Sequence, residues 1–375
     1  MISRIYDDLD KILKGGKVVV LYGPRQVGKT TLINKFLKNT KLKYRLDNGD
    51  DIKISKILTS RSKEQIDKYI EGYELIVIDE AQRIHDVGLG LKILVDNNPK
   101  IKVLITGSSS LSLSYRVGEP LVGRKFDYVL YPVSQKELKK GLSVYDLELK
   151  KEDFLVYGSY PAVLELSNRA EKINLLNNIT NSYLFRDIID LEKVSDSKIL
   201  MDLLKLIAFQ VGSEVSLTEL GLNLGIDRKT VARYLWLLEQ SFVLFNLRGF
   251  SRNLRKEITS KSKYYFYDLG IRNAVVNNFN EIDSRNDVGQ LWENFLAIER
   301  LKNQKYTPIY SNNYFWRTWD KNEIDWVEER DGKLFAFEFK WGKLKSRKSE
   351  KAWINSYNNS EFKTITQENY LDFII

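Results

Sequence analysis

The segment GPRQVGKTT at residues 23–31 sets Gly23, Gly28, Lys29 and Thr30 in the spacing GxxxxGK[ST]. Glycines at those positions let successive backbone N–H groups curl around phosphate oxygens, and the helix that follows adds the partial positive charge of its N-terminus. In such a loop Lys29 reaches the β- and γ-phosphates and the Thr30 hydroxyl ligates Mg²⁺. The whole run of Gly23, Pro24, Arg25, Gln26, Val27, Gly28, Lys29, Thr30 and Thr31 then lines a nucleotide such as ATP or ADP. Further on, the apolar run of LIVIDEAQ delivers Asp79 and Glu80. Asp79 suits Mg²⁺ binding. Glu80 suits polarising an attacking water, a role worth roughly 10²–10⁴-fold in rate. ITGSSS offers Thr106 and Ser108 or Ser109 beside the γ-phosphate, although a plain Ser-rich turn fits it equally well. An arginine that neutralises transition-state charge is worth roughly 10³–10⁵-fold; Arg124 in LVGRKF ranks first, ahead of Arg116 and Arg186. His85, close behind the acidic pair, reads as a solvated loop residue.

A second set of residues that could do chemistry lies near the C-terminus, in EIDWVEERDGKLFAFEFKW. Strand alternation puts Phe335, Phe337, Phe339 and Trp341 on one face, and Ala336, Glu338 and Lys340 on the other. On the strand before it Ile324 and Trp326 are expected to face one way and Asp325 the other. Asp331-Gly332 would join the two strands as a hairpin. Asp325, twelve intervening residues, then Glu338-x-Lys340 is the constellation that restriction-endonuclease-like nucleases use. There Asp325 and Glu338 would hold Mg²⁺ or Mn²⁺ through oxygen ligands, and Lys340 would orient or deprotonate the attacking water. The same residues also suit a hairpin with cross-strand ion pairs.

Between the two sets, VSLTELGLNLGIDRKTVARYLWLLEQSFVLFNL reads as a winged helix-turn-helix. Ser216 or Thr218 can cap a first helix, Gly225 can make the turn, and Asp227 can cap a second helix running to about Glu239. Val231, Tyr234, Leu235 and Leu238 form the buried stripe of that helix. Arg228, Lys229 and Arg233 lie off the stripe, where they would meet a DNA major groove. The basic stretches 248–263 and 343–351 suit phosphate contacts or simply solvated surface.

These residues need elements to position them. KVVVLY, ELIVID and KVLITG are short apolar runs typical of buried parallel strands, separated by lengths suited to helices, and a helix is expected from Lys29 to Leu37. Residues 1–16 look helical. From about Asp196 the pattern becomes helical, and from about Lys263 it becomes aromatic-rich strands (KYYFYD, YFWRTW, EIDWVEE, KLFAFEFKW) around one helical run, VGQLWENFLAIERL. The expected class is α/β with a parallel sheet, followed by a helical module and an α+β domain.

GPRQVGKTT, LIVIDEAQRI, ITGSSS, Gly123-Arg124, YPVSQKEL, GSYPAV and YLFRDI occur in the order seen in an archaeal and bacterial AAA+-type ATPase family, which the chain resembles over nearly its whole length. GSYP departs from the Gly-Gly pair usual there, a packing variation. The resemblance implies an AAA+ P-loop ATPase domain over 1–193, a winged helix-turn-helix over 194–262 and a restriction-endonuclease-like domain over 263–375. It also implies that Glu293, in GQLWENF, is a further acidic metal ligand beside Asp325 and Glu338. Two functions follow: an ATP-driven protein that binds and cuts DNA, or a nucleotide-dependent switch that binds DNA or protein and cuts nothing. Members of the wider AAA+ class commonly complete their sites across subunits, so an oligomer is compatible with the sequence.

Composition narrows the field. The chain of 375 residues has no cysteine and one histidine, which excludes disulfide frameworks, thiolate metal sites and cysteine nucleophiles. Lys+Arg 59 against Asp+Glu 50 gives a net charge of +9, which permits a polyanionic partner without demanding one. No run suits a signal peptide or approaches the roughly 20 apolar residues of a membrane span, so a cytoplasmic protein is expected.

Overall fold

In a computed structural model, the structure describes residues 2–108, 120–183, 197–251, 262–318, 320, 322–342 and 348–375. The chain divides into two compact units, one essentially Met1–Pro132 and the other most of Val133–Ile375.

The first unit is mixed α/β. Its strands β1 (Lys17–Tyr22), β2 (Tyr44–Asn48), β3 (Leu75–Asp79), β4 (Lys102–Gly107) and β5 (Lys125–Val129) form one sheet in the order β2-β3-β4-β1-β5, and every pairing is parallel. The apolar runs read as buried strands are buried on both faces: Val18 to Leu21, Leu75 to Ile78 and Val103 to Ile105 are all fully withdrawn from solvent. Helices α1 (Lys29–Asn39), α2 (Ile52–Thr59), α3 (Lys63–Ile70) and α4 (Val87–Asn97) make the connections. Because the strands run the same way, the ends of β1, β3 and β4 share one edge, where ligands bind in open α/β sheets.

Residues 2–16 are not the expected helix; they carry only a single 3-10 turn at Leu9–Lys11. The Asp7 carboxylate accepts from Ser3 Oγ (3.0 Å) and the Arg4 N–H (3.2 Å), a local turn that competes with helix. It leaves Arg4 buried, its guanidinium donating to the Val27 carbonyl (2.5 Å) and the Tyr131 carbonyl (2.6 Å).

The second unit does not follow the expected boundaries. Residues 133–183 belong to it rather than to the phosphate-loop unit. They are tied in by buried polar bonds that no local pattern reveals: the Gln135 N–H donates to Glu299 (2.7 Å), Asn273 Nδ2 to the Leu155 and Val156 carbonyls (3.0 and 2.8 Å), and the Ser159 N–H to Asp268 (2.7 Å). Gly158, in GSYP, is compelled by this packing: a Cβ there would lie 2.1 Å from Asp268 Oδ1.

Helices α5 (Ser197–Phe209), α6 (Leu217–Leu224) and α7 (Arg228–Gln240) precede strand β7 (Leu244–Gly249), with the two-residue β6 (Glu214–Val215) between α5 and α6. Ser216 caps α6, Gly225 closes it with φ 67°, and Asp227 accepts from the Lys229 and Thr230 N–H groups (2.8 and 3.1 Å), as the sequence suggested. Beyond β8 (Ser262–Phe266) come α8 (Leu269–Val275), α9 (Val288–Tyr306), β9 (Asn312–Arg317), β10 (Glu323–Arg330), β11 (Lys333–Phe339), α10 (Lys348–Ser356) and β12 (Ser360–Ile365). One sheet, ordered β12-β11-β10-β9-β7-β8-β6, runs across the boundary expected at 262, because β7 pairs in parallel with β9. The hairpin turn is as read, with positive φ at both Asp331 (52°) and Gly332 (71°).

Two details of the hairpin differ from simple alternation. A bulge in β10 inserts one residue between Ile324 and Val327, which resets the period. Ile324 and Val327 therefore share a core with Tyr314, Trp316, Ala336 and Trp353, whereas Trp326 packs beside Phe245. The side of β11 expected to be open is covered at Ala336 by Trp353 of α10, while Phe337 and Phe339 lie against Phe373 on the other face.

Helix α9 is buried almost all round, so its charged side chains need partners inside the protein. Arg300 holds Glu328, which is fully buried, through two bonds of 2.6 and 2.9 Å. Arg300→Met should destabilise the second unit by about 3–5 kcal/mol, the cost of stranding a buried carboxylate. Arg300→Met combined with Glu328→Leu should cost less than Arg300→Met alone. Denaturant unfolding followed by tryptophan fluorescence reads this selectively, since every tryptophan among the described residues lies in the second unit.

Candidate functional site

The nucleotide-type site is built at the shared strand edge of the first unit. The loop leaves β1 at Gly23 with φ 150°, passes Gln26 at φ 61° and enters α1 through Gly28 at φ 94°. Gly23 is obligatory, because a Cβ there would sit 2.1 Å from the Leu130 carbonyl. Lys29 is buried within the loop and donates to the Gly23 and Pro24 carbonyls at 2.7 and 2.9 Å. Thr30 Oγ1 donates to Asp79 Oδ2 at 2.7 Å. The other Asp79 oxygen accepts from Thr106 Oγ1, and that same hydroxyl receives the Glu80 N–H at 3.0 Å. Asp79 thus fixes α1, β3 and β4 in one register with a single carboxylate.

Glu80 follows in the left-handed region, φ 54°, which aims its side chain off the strand end. Its carboxylate accepts from Gln82 Nε2, which also donates to Ser108 Oγ at 3.2 Å. Gly49 lets this happen: a Cβ there would lie 2.3 Å from the Glu80 carbonyl. A hydroxyl and a carboxylate beside a curled loop of N–H groups form a donor set suited to Mg²⁺ shared with phosphates, since Mg²⁺ takes one or two protein ligands and keeps the rest for phosphate and water. Thr30 and Asp79 would hold such an ion, and it would supply charge neutralisation at the phosphates.

Several sequence candidates lie elsewhere. Arg124 stands at the start of β5, beside Val18 at the beginning of β1, and pairs with Asp96 at 2.5 Å on the surface. That is the strand end opposite the phosphate loop, so Arg124 is not brought to this site; strand direction, set by distant pairing, decided the matter. His85 is exposed beside Asp86. Ser109, Arg116 and Arg186 lie outside the described residues, as do residues 252–261 and 343–347 of the basic stretches. Sequence reasoning missed Arg4, Gly49 and Gln82, whose roles depend on contacts across the fold.

In the second unit two of the expected acidic residues, Glu293 and Asp325, converge around an unexpected partner. Alternation along β8 turns Lys263 and Tyr265 toward Glu293 of α9: Tyr265 Oη donates to Glu293 Oε1 at 2.7 Å, and Lys263 Nζ lies 3.2 Å from the same oxygen. Lys263 Nζ is also 2.5 Å from Glu323 and 4.0 Å from Asp325, and its side chain is fully buried. Asp325 Oδ2 accepts the Phe339 N–H at 2.7 Å, and Lys340 pairs with Glu338 at 2.7 Å. Burial opposes the Lys263 charge, but Glu293, Asp325 and Glu323 outweigh it and raise the ammonium above the ordinary lysine range. Burial, only partly offset by Lys263, pushes Glu293 up to about 7. Among the described residues no group of three or more acidic or histidine side chains is disposed to hold a metal ion. The cluster does not fit a divalent cation, because a lysine already supplies positive charge among its carboxylates. The only sequence signal for this was a lone lysine opening an aromatic strand.

On α7, Arg228, Lys229 and Arg233 are all exposed, while Val231, Tyr234, Leu235 and Leu238 are buried.

Residues 15–139, which include every strand of the first unit and the phosphate loop, match a sequence family described as an AAA domain. Residues 149–282 and 288–370 match two domains of unknown function, DUF8612 and DUF4143. An uncharacterized protein of Mycobacterium tuberculosis is 27% identical over 337 residues, spanning 88% of this chain and 72% of the relative. A second uncharacterized protein, from Methanocaldococcus jannaschii, is 24% identical over 85% of this chain and 74% of its own length. Among solved structures, domain III of the Thermotoga maritima replication initiation protein DnaA aligns with 43% of this chain and 83% of its own, at 16% identity and a TM-score of 0.26. No helix among the described residues is long and apolar enough to cross a membrane.

Glu80→Gln should leave nucleotide binding intact and lower ATP turnover by about 10²–10⁴-fold, the usual worth of a positioned general base. Gly49→Ala, which forces the Glu80 backbone to move, should lower turnover in the same sense. Phosphate release, measured beside binding of a fluorescent nucleotide, separates the two effects.

Proposed function

We propose that the chain binds ATP with Mg²⁺ on the Gly23–Thr31 loop and hydrolyses it, and that the nucleotide state switches how the second unit engages DNA. The observation that carries the ATPase reading is the Asp79 carboxylate bracketed by Thr30 and Thr106, with Glu80 next in the chain at the same sheet edge. Lys29 would meet the β- and γ-phosphates in place of the Gly23 and Pro24 carbonyls it now holds. The loop N–H groups would bind and orient the phosphates. Glu80, released from Gln82, would accept the proton of the attacking water.

DNA engagement is read from the order of α5, β6, α6, α7, β7 and β8, which supports a winged helix-turn-helix, and from the exposed cations on α7. The strands and helices from α9 to β12 support a restriction-endonuclease-like arrangement. We read that part as a platform that binds without cutting, on the strength of Lys263 among its carboxylates. One observation favours the cutting alternative: Glu338 Oε2 is buried with no hydrogen-bond partner.

Lys29→Ala should abolish hydrolysis, and unchanged phosphate release would overturn the site. Binding of labelled duplex and single-stranded DNA should weaken steeply with salt. Arg228→Ala, Lys229→Ala and Arg233→Ala together should flatten that dependence, by about 0.9 in log–log slope for each duplex phosphate they leave unneutralised. An unaltered slope would remove α7 from the interface.

A further inference from the structure

We propose that Lys263 is the resident cation of the C-terminal carboxylate cluster, its ammonium supplying the positive charge that Glu293 and Asp325 would otherwise draw from a divalent ion. The inference deepens the reading of the second unit as a platform that does not cut. It rests on that reading, and it is independent of ATP hydrolysis.

Three features carry it. Lys263 is fully buried and lies within 4.0 Å of three carboxylates, on β10 (Glu323, Asp325) and α9 (Glu293), so its charge is neutralised wholly from inside. A lysine ammonium is a compact point charge with three donors and no acceptor. It satisfies carboxylate oxygens as a metal would, yet it is covalently fixed to the chain. The sheet register then leaves it little freedom, because β8 is held on both sides: Lys263 pairs with Leu247 of β7 and with Glu214 of β6.

One oxygen each of Glu293, Asp325 and Glu338 is also held by another group. Glu293 Oε1 takes the Tyr265 hydroxyl as well as the ammonium. The backbone at Gly212, φ 74°, closes over Glu293 so tightly that a Cβ would lie 2.8 Å from Oε1. Asp325 Oδ2 holds the Phe339 N–H, and Lys340 occupies Glu338 Oε1. A divalent ion entering here would have to displace or repel a buried ammonium that cannot leave.

The test is Mn²⁺ binding to the nucleotide-free full chain, with Asp79→Asn in every arm to silence the phosphate-loop site. Binding is read by the electron paramagnetic resonance signal of free Mn²⁺. With Lys263 intact, the titration should be unchanged by adding Asp325→Asn. Lys263→Gln should gain one Mn²⁺ site, lost again with Asp325→Asn, and Mn²⁺ should raise the melting temperature of that variant alone. Lys263→Arg keeps the charge and should gain none. A site present with Lys263 intact and removed by Asp325→Asn would overturn the proposal, whether or not Lys263→Gln folds. A folded Lys263→Gln that gains no site would overturn it too. DNA cleavage by the unmodified chain, assayed with Mg²⁺ and with Mn²⁺, separates the two readings. Metal bound without cleavage defeats this inference alone, and metal bound with cleavage defeats the non-cutting reading as well.

Discussion

A charge withdrawn from water must find its opposite inside the protein, and the second unit is organised around that requirement. Helix α9 is the clearest case, since it is enclosed on nearly every side yet carries Glu293, Glu299, Arg300 and Lys302. Glu299 is answered by Lys302 of the same helix and by the Gln135 N–H, Arg300 by Glu328, and Glu293 by Lys263 and Tyr265. The partners come from the Gln135 turn, β8 and β10. Satisfying one helix therefore fixes the register of segments far apart in sequence. This explains why residues 133–183 join the second unit and why its sheet ignores the boundary expected near 262.

The phosphate loop meets the same requirement differently. There the protein gathers dipoles and one lysine at a strand edge and answers them only partly, with the Gly23 and Pro24 carbonyls taking the ammonium. Oriented N–H groups at a helix N-terminus favour an anion from outside. What rigidity the site has comes from Asp79, which joins α1 and β4 through two hydroxyls, and from Arg4, which pins the Val27 carbonyl. The two clusters thus differ in whether their charges are closed internally. The first is open to a ligand, whereas in the second Lys263 and Lys340 already pair with carboxylates.

The loop, its acidic strand end and the caps of α6 and α7 were legible in the sequence, because each is a short-range pattern with a local physical cause. The hairpin turn at Asp331-Gly332 was legible for the same reason. The N-terminal segment was misread as helix because Asp7 captures its own turn and Arg4 is drawn to the loop, and neither effect shows in periodicity. Arg124 was ranked first among three candidate arginines, but position along a parallel strand depends on partners elsewhere in the chain. The inserted residue in β10 was invisible to alternation and moved Trp326 to the face opposite Ile324.

The C-terminal motif shows what residue spacing alone can establish. Asp325, Glu338 and Lys340 converge as the pattern requires, and Glu293 joins them from α9. What the spacing does not contain is the charge that arrives from β8. Three carboxylates and a lysine describe a metal-dependent centre only while no other cation lies among them. With Lys263 there, Glu293 and Asp325 already face a buried ammonium, and Lys340 pairs with Glu338. A buried network of this kind is weak evidence of added stability, because desolvation offsets most of its attraction. Its stronger effect is geometric. It admits one placement of β8 against β10 and α9, because Lys263 must reach Glu323 and Asp325 on one side and Glu293 on the other.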